Sequence, residues 1–267
     1  MGRVYAVASG KGGVGKTTTV ANLGAALAMG GHETVVVDAD LGMGNLAGVL
    51  GVDADAGPTV HDVLSGRATA AEATRDGPVG LSVLPASDDL DDFGTANPAN
   101  LSTLLDSLDA ETVLVDTSAG LSHDSVEPLR VADEVLLVTT AEAGALGDTA
   151  KTRDVTDRFE TAVAGAVVTR VDADASDEAA RTVTDRLGVP VRGTIPDDDA
   201  VKAAAEAGQP LVVAAPDAPA TRAYRRLAAD IVDDESLAPL AEDESDGEAT
   251  ETADEPKRTG FLRWLLP

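Results

Sequence analysis

The chain has 267 residues, enough for one large α/β domain with a substantial core rather than two small ones. Asp and Glu number 47 against 20 Lys and Arg, a formal charge of -27, yet 43% of residues are hydrophobic. That balance describes a folded protein with an acidic surface, which we read as adaptation to a salt-rich cytoplasm where counterions screen self-repulsion. Cysteine is absent, which excludes a disulfide framework, a thiolate metal site and a Cys nucleophile.

In chain order, Met1-Gly2-Arg3 leads straight into VYAVA, a start too short and too soon interrupted by glycine for a secretory signal, so a cytosolic protein is expected. Position 6 is Ala6, not the Ser or Thr of a myristoylation site. No stretch approaches the roughly 18 apolar residues of a membrane span. β-branched runs predict strands over 4–8, 34–37, 81–84, 112–115, 134–138, 164–168 and 191–195. Between them, helices are predicted over 17–29, closed by Gly30-Gly31, and over 97–108, 147–159, 176–187, 197–207 and 218–232. Strands apolar on both faces and spaced by helices imply an α/β fold: a single doubly wound, mostly parallel sheet flanked by helices. This domain is expected to occupy residues 1–232. Residues 233–255 are acids and small residues that cannot bury enough apolar surface to fold, an acidic disordered linker. Residues 256–267 differ again, carrying three basic and five large apolar side chains within KRTGFLRWLLP.

The first strand and first helix enclose Gly10-Lys11-Gly12-Gly13-Val14-Gly15-Lys16-Thr17, which satisfies G-x-x-x-x-G-K-[ST] in the context that motif requires. The glycines let backbone N–H groups and the helix N-terminus face phosphate oxygens. Lys16 would neutralise the terminal phosphates and the Thr17 hydroxyl would hold Mg²⁺, with Thr18 beginning the helix beside them. Lys11 is a second lysine at the loop's outer rim, a place suited to reaching a neighbouring subunit's nucleotide.

The run K-G-G-V-G-K-T-T resembles the deviant phosphate-binding loop of the MinD/ParA family of dimerising P-loop ATPases, and the likeness runs from residue 4 to 232 before resuming at the tail. It implies ATP and Mg²⁺ as cofactors, a face-to-face homodimer, and Lys11 supplied across the interface to the partner's phosphates. Lys11, Lys16 and Asp40 are the candidate catalytic residues. Asp40, at the end of VVDAD and before LGMGNL, matches the acid that orients the attacking water, while Asp116 in VLVDTSAG would hold a Mg²⁺-bound water. Thr17, Asp40 and Asp116 are therefore the candidate metal residues, the acids acting through water. Ser118 stands where the family usually has Pro. Val168-Thr169-Arg170 and Thr194-Ile195-Pro196-Asp197 fall where the family contacts adenine, giving Arg170, Pro196 and Asp197 as base contacts. The three histidines, His32, His61 and His123, have no ligand spacing and are expected at the surface.

The tail resembles the membrane-targeting helix of the MinD branch. On a helix, Phe261, Leu262, Leu265 and Leu266 share one face with Trp264 at its edge and Arg258 and Arg263 beside it. The resemblance implies slow ATP hydrolysis, reversible attachment to the inner face of the cell membrane, and positioning of division, motility or chemosensory machinery through an unidentified cargo or activator. Iron–sulfur relatives are excluded by the missing cysteines. A DNA-partitioning ParA-like role stays open, although nucleic acid is not the expected partner of so acidic a surface. So does a scaffold that uses ATP only to dimerise.

Overall fold

The computed structural model describes residues 2–89, 92, 94–121 and 123–239; the expected targeting helix lies outside the described residues, with the greater part of the expected linker. The core strands are β1 (Arg3–Ala8), β2 (Thr34–Ala39), β3 (Arg75–Asp76), β4 (Ser82–Leu84), β5 (Thr112–Thr117), β6 (Glu134–Thr139), β7 (Ala162–Val171) and β8 (Val191–Pro196). They form one sheet in the order β3-β4-β2-β5-β1-β6-β7-β8, parallel throughout except for the antiparallel edge pair β3/β4. The chain leaves β1 for β2 on one side and crosses to β6 on the other, so the carboxyl end of β1 is a topological switch point, where open α/β sheets bind ligands.

Each central strand alternates between two cores, as the period of two demands. Tyr5 and Val7, with Val36, Leu114, Leu136 and Val138, face the layer of α1 (Lys16–Met29), α2 (Leu46–Leu50) and, after the last strands, the helices Asp199–Glu206, Leu211–Ala214 and Pro219–Val232. Val35, Val37, Val113 and Val115 face the opposite layer, where α3 (Val60–Leu64), α4 (Ala70–Ala73) and α5 (Leu101–Asp106) close the core. Ala6, Ala8, Val135 and Leu137 pack there too, against α6 (His123–Val131), α7 (Ala143–Arg158) and α8 (Ser176–Leu187). The remaining helices are α9 (Asp199–Glu206), α10 (Leu211–Ala214) and α11 (Pro219–Val232). The doubly wound sheet expected from the sequence is thus present.

Two expectations are corrected. The acidic linker does not begin at residue 233: a 3₁₀ turn at Glu235–Leu237 folds back onto the domain, and Leu237 is buried in the α1 core. Gly30 makes the room, since a Cβ there would stand 1.9 Å from Leu237 Cδ2. The Leu237 carbonyl accepts a hydrogen bond from Arg225 Nε at 3.1 Å, and His32 Nε2 lies 3.2 Å from Asp234. One leucine with a hole to fill overrides the acidic composition around it. The histidines also differ from expectation, because His61 is fully buried and His32 is largely covered between Glu111 and Asp234.

Candidate nucleotide site

The loop between β1 and α1 takes its shape from a few bonds. Ser9 Oγ donates to the Lys11 carbonyl at 2.8 Å, and Thr169 Oγ1, at the far end of β7, donates to the Val14 carbonyl at 2.6 Å. Gly15 caps α1 in the left-handed region at φ 97°, a conformation that a side chain disfavours. No side chain caps α1, so its first N–H groups face the crevice as an anion site. The two lysines part company here. Lys16 is 8% exposed, whereas Lys11, Gly12 and Gly13 lie on the surface, and among the described residues Lys11 makes no ion pair or side-chain hydrogen bond.

Register brings the acids beside the loop. Asp38 of β2 stands opposite Asp116 of β5, and Asp116 opposite Val7 of β1. Both carboxyls are 1% exposed. Burial holds Asp38 well above the usual carboxylate range, and the neighbouring Asp116 adds to this; N–H groups of Leu46 and Asp40, donating at 3.0 and 3.2 Å, act in the other direction. Burial likewise pushes Asp116 up to about 7, against the pull of the Thr17 hydroxyl and the Lys16 ammonium. Asp116 Oδ1 is buried with no hydrogen-bond partner. A buried oxygen left unpaired beside Thr17 is what a hydrated Mg²⁺ would satisfy, so these residues fit that ion. Asp40 is half-buried just past β2, and its carboxylate accepts the Met43 N–H at 3.2 Å.

Beside the loop, a cavity of about 350 Å³ is bounded by Val14, Gly15 and Thr18 on one side and Arg170, Pro196 and Asp197 on the other. The three expected base contacts therefore share one pocket with the loop. Arg170 has φ 54°, a left-handed conformation rare outside glycine and common where strain serves a site. Two neighbours behave differently. Thr169 lines the cavity but commits its hydroxyl to the loop, and Thr194 Oγ1, which does not line it, lies 2.7 Å from Ser176 Oγ. Sequence reasoning missed Asp38 as the organiser of the turn after β2, and missed Lys202 and Tyr224, which also line the cavity. The segment after β5 is tied to the loop by the Gly120 N–H, 3.4 Å from the Ser9 carbonyl, while the Ser118 hydroxyl is buried without a partner among the described residues. Phe261, Leu262, Trp264, Leu265 and Leu266 lie outside the described residues.

Comparison with known proteins agrees with this geometry. The family described as the CobQ/CobB/MinD/ParA nucleotide binding domain matches residues 5–211. An uncharacterized ATP-binding protein of Methanocaldococcus jannaschii is 36% identical over 234 residues, 87% of this chain and 88% of that one. Among solved structures, the cell division ATPase MinD of Pyrococcus furiosus superposes with a TM-score of 0.81 at 36% identity, covering 87% of this chain and 99% of that one. The septum site-determining protein MinD of Pyrococcus horikoshii, complexed with Mg-ADP, gives 0.80 at 32% identity, covering 86% and 96%. With a family match across most of its length, a P-loop built as the motif requires and a fold shared with two MinD ATPases, the chain belongs to the CobQ/CobB/MinD/ParA nucleotide-binding family.

Proposed function

We propose that the chain is a MinD-like ATPase switch: it binds ATP and Mg²⁺, dimerises face to face, settles on the inner surface of the cell membrane, and leaves after hydrolysis. The observation that carries this reading is the contrast between a buried Lys16 and an exposed Lys11, unpaired among the described residues, on the same loop. Lys16 would serve the chain's own phosphates. Lys11 faces outward, where a second copy's nucleotide can be reached, and in that complex Asp40 would orient water at the terminal phosphate. Arg170, Pro196 and Asp197 would hold the base. Relatives whose names tie them to the division septum support a role in placing cellular machinery.

Membrane attachment would rest on residues 256–267. Each large apolar side chain contributes at most about 1.5–3 kcal/mol when buried, against about 1–2 kcal/mol of backbone entropy per residue ordered. One tail therefore binds weakly, and two tails on a dimer bind well because the second attachment is intramolecular. Among the described residues no helix is long and apolar enough to cross a membrane. The test is the mass of the protein in solution, by light scattering, with Mg·ATP and with Mg·ADP, using Asp40→Ala to prevent turnover. A doubling of mass with ATP alone is expected. An unchanged mass would sink the dimer switch, and ATP-dependent binding to DNA in its place would favour a partitioning role.

A further inference from the structure

His61 lies on α3 with no exposed surface, among apolar residues that include Leu41, Val60, Leu64 and Ala86. A leucine would satisfy that packing, so the imidazole needs another reason. Both ring nitrogens are engaged. The Ser87 N–H donates to Nδ1 at 3.1 Å, so Nδ1 is the acceptor and Nε2 carries the proton, which it donates to the Leu41 carbonyl at 3.0 Å. The tautomer is thereby fixed by backbone.

Leu41 directly follows Asp40. Residues 40–43 of the turn that presents Asp40 have three anchors among the described residues: the Asp40 N–H on Asp38, the Met43 N–H on the Asp40 carboxylate, and the Leu41 carbonyl on His61. The first two depend on acids at the nucleotide site itself. The third comes from a different element with a rigid mounting. The Val60 N–H donates to the Pro85 carbonyl at 2.8 Å, Ser87 Oγ to Asp92 at 2.8 Å, and Arg67 bridges Asp92 to Asp62, the neighbour of His61, at 2.7 and 2.8 Å.

We infer that His61 is a positioning residue for ATP hydrolysis: a strut of fixed tautomer between the strand-β4 exit and the turn after β2, which sets where Asp40 stands. The inference rests on the hydrolytic reading above. It explains why a fully buried imidazole occupies a site that packing alone would give to an aliphatic side chain.

The test uses the two amide isosteres of histidine in the full chain. A Gln amide nitrogen reaches where Nε2 was and keeps the donor to Leu41; an Asn carbonyl stands where Nδ1 was and keeps only the acceptor for Ser87. His61→Asn is expected to lower ATP turnover about tenfold, the loss of one buried hydrogen bond at a positioned group, with Mg·ATP affinity within about twofold. His61→Gln is expected to restore most of the turnover. Equal turnover in the two folded variants, or affinity and turnover falling together, would overturn the inference. The wild-type chain supplies a reading independent of variant folding: by nitrogen-15 NMR, His61 should have a slowly exchanging proton on Nε2, none on Nδ1, and a resonance that moves on adding a non-hydrolysable Mg·ATP analogue. A resonance that does not move would equally overturn it. Asp40→Ala run alongside separates the two ideas, because a wild-type chain without Asp40-dependent turnover fails the hydrolytic reading rather than the strut.

Discussion

Replacing Lys11 with alanine should leave Mg·ATP binding by the single chain within about twofold and lower its hydrolysis about 10³-fold, as removal of a charge supplied in trans does in other phosphoryl-transfer sites. The reasoning follows from exposure. Lys11 is on the surface and makes no side-chain hydrogen bond or ion pair among the described residues, so its removal costs little stability. Lys16→Ala should behave in the opposite way and lose nucleotide binding itself, because the buried ammonium is the one that, in the proposed reading, would face the chain's own phosphates. Isothermal titration with ATP and a phosphate-release assay on the two variants separate the roles. If Lys11→Ala hydrolyses ATP as the parent does, the outer lysine is a solvated surface residue and trans activation is wrong.

Asp116→Asn should stabilise the nucleotide-free protein while abolishing the stabilisation that Mg²⁺ adds to bound ATP. Burial raises the Asp116 carboxyl from 3.8 to about 7. A carboxyl whose folded pKa is raised binds more protons folded than unfolded, so it destabilises progressively as pH rises from about 4 to about 7, and the loss is complete above that. A shift of that size corresponds to roughly 4 kcal/mol, of which the asparagine recovers about half because its amide is also short of partners. Chemical denaturation of the apo proteins should therefore show a gain of about 2 kcal/mol at pH 8 that turns into a loss of about 1 kcal/mol at pH 4.5, where the folded parent's carboxyl is largely protonated. With saturating Mg·ATP the ranking should reverse, since only the parent gains the full linkage stabilisation. A variant less stable than the parent at pH 8 without ligand would mean that Asp116 is held by partners and is not strained for an ion.

Much of the site was legible because its chemistry is local. The loop from Gly10 to Thr17 is contiguous, and strands such as Thr112–Thr117 announce themselves by β-branched runs bounded by acids. The helix Ser176–Leu187 matched its expected bounds because its apolar positions recur with helical period. Other elements were hidden for physical reasons. The helices Leu46–Leu50, Val60–Leu64 and Ala70–Ala73 are too short to complete two periods, and His123–Val131 carries Pro128 within it. The helix beginning at Ala143 starts four residues before its expected start at Gly147, and a Cβ at Gly144 would meet nothing within 4 Å, so that glycine is free to sit in the first turn. What sequence could not reveal was contact at a distance. The hydroxyl of Thr169 braces a carbonyl 155 residues away, His61 reaches Leu41 from another element, and Leu237 fills a space whose existence depends on Gly30.

The central claim of the proposed function is that nucleotide state governs attachment to a membrane through a tail repeated on each half of a dimer. The most direct measurement is co-sedimentation with anionic liposomes at near-molar salt, comparing the full chain with one ending at Glu255 in Mg·ATP and in Mg·ADP. At that salt the screening length falls to about 3 Å, so attachment must come from the apolar face. The full chain should pellet with Mg·ATP alone and the shortened chain with neither nucleotide. Pelleting that is indifferent to nucleotide, or that survives loss of the tail, would contradict the account.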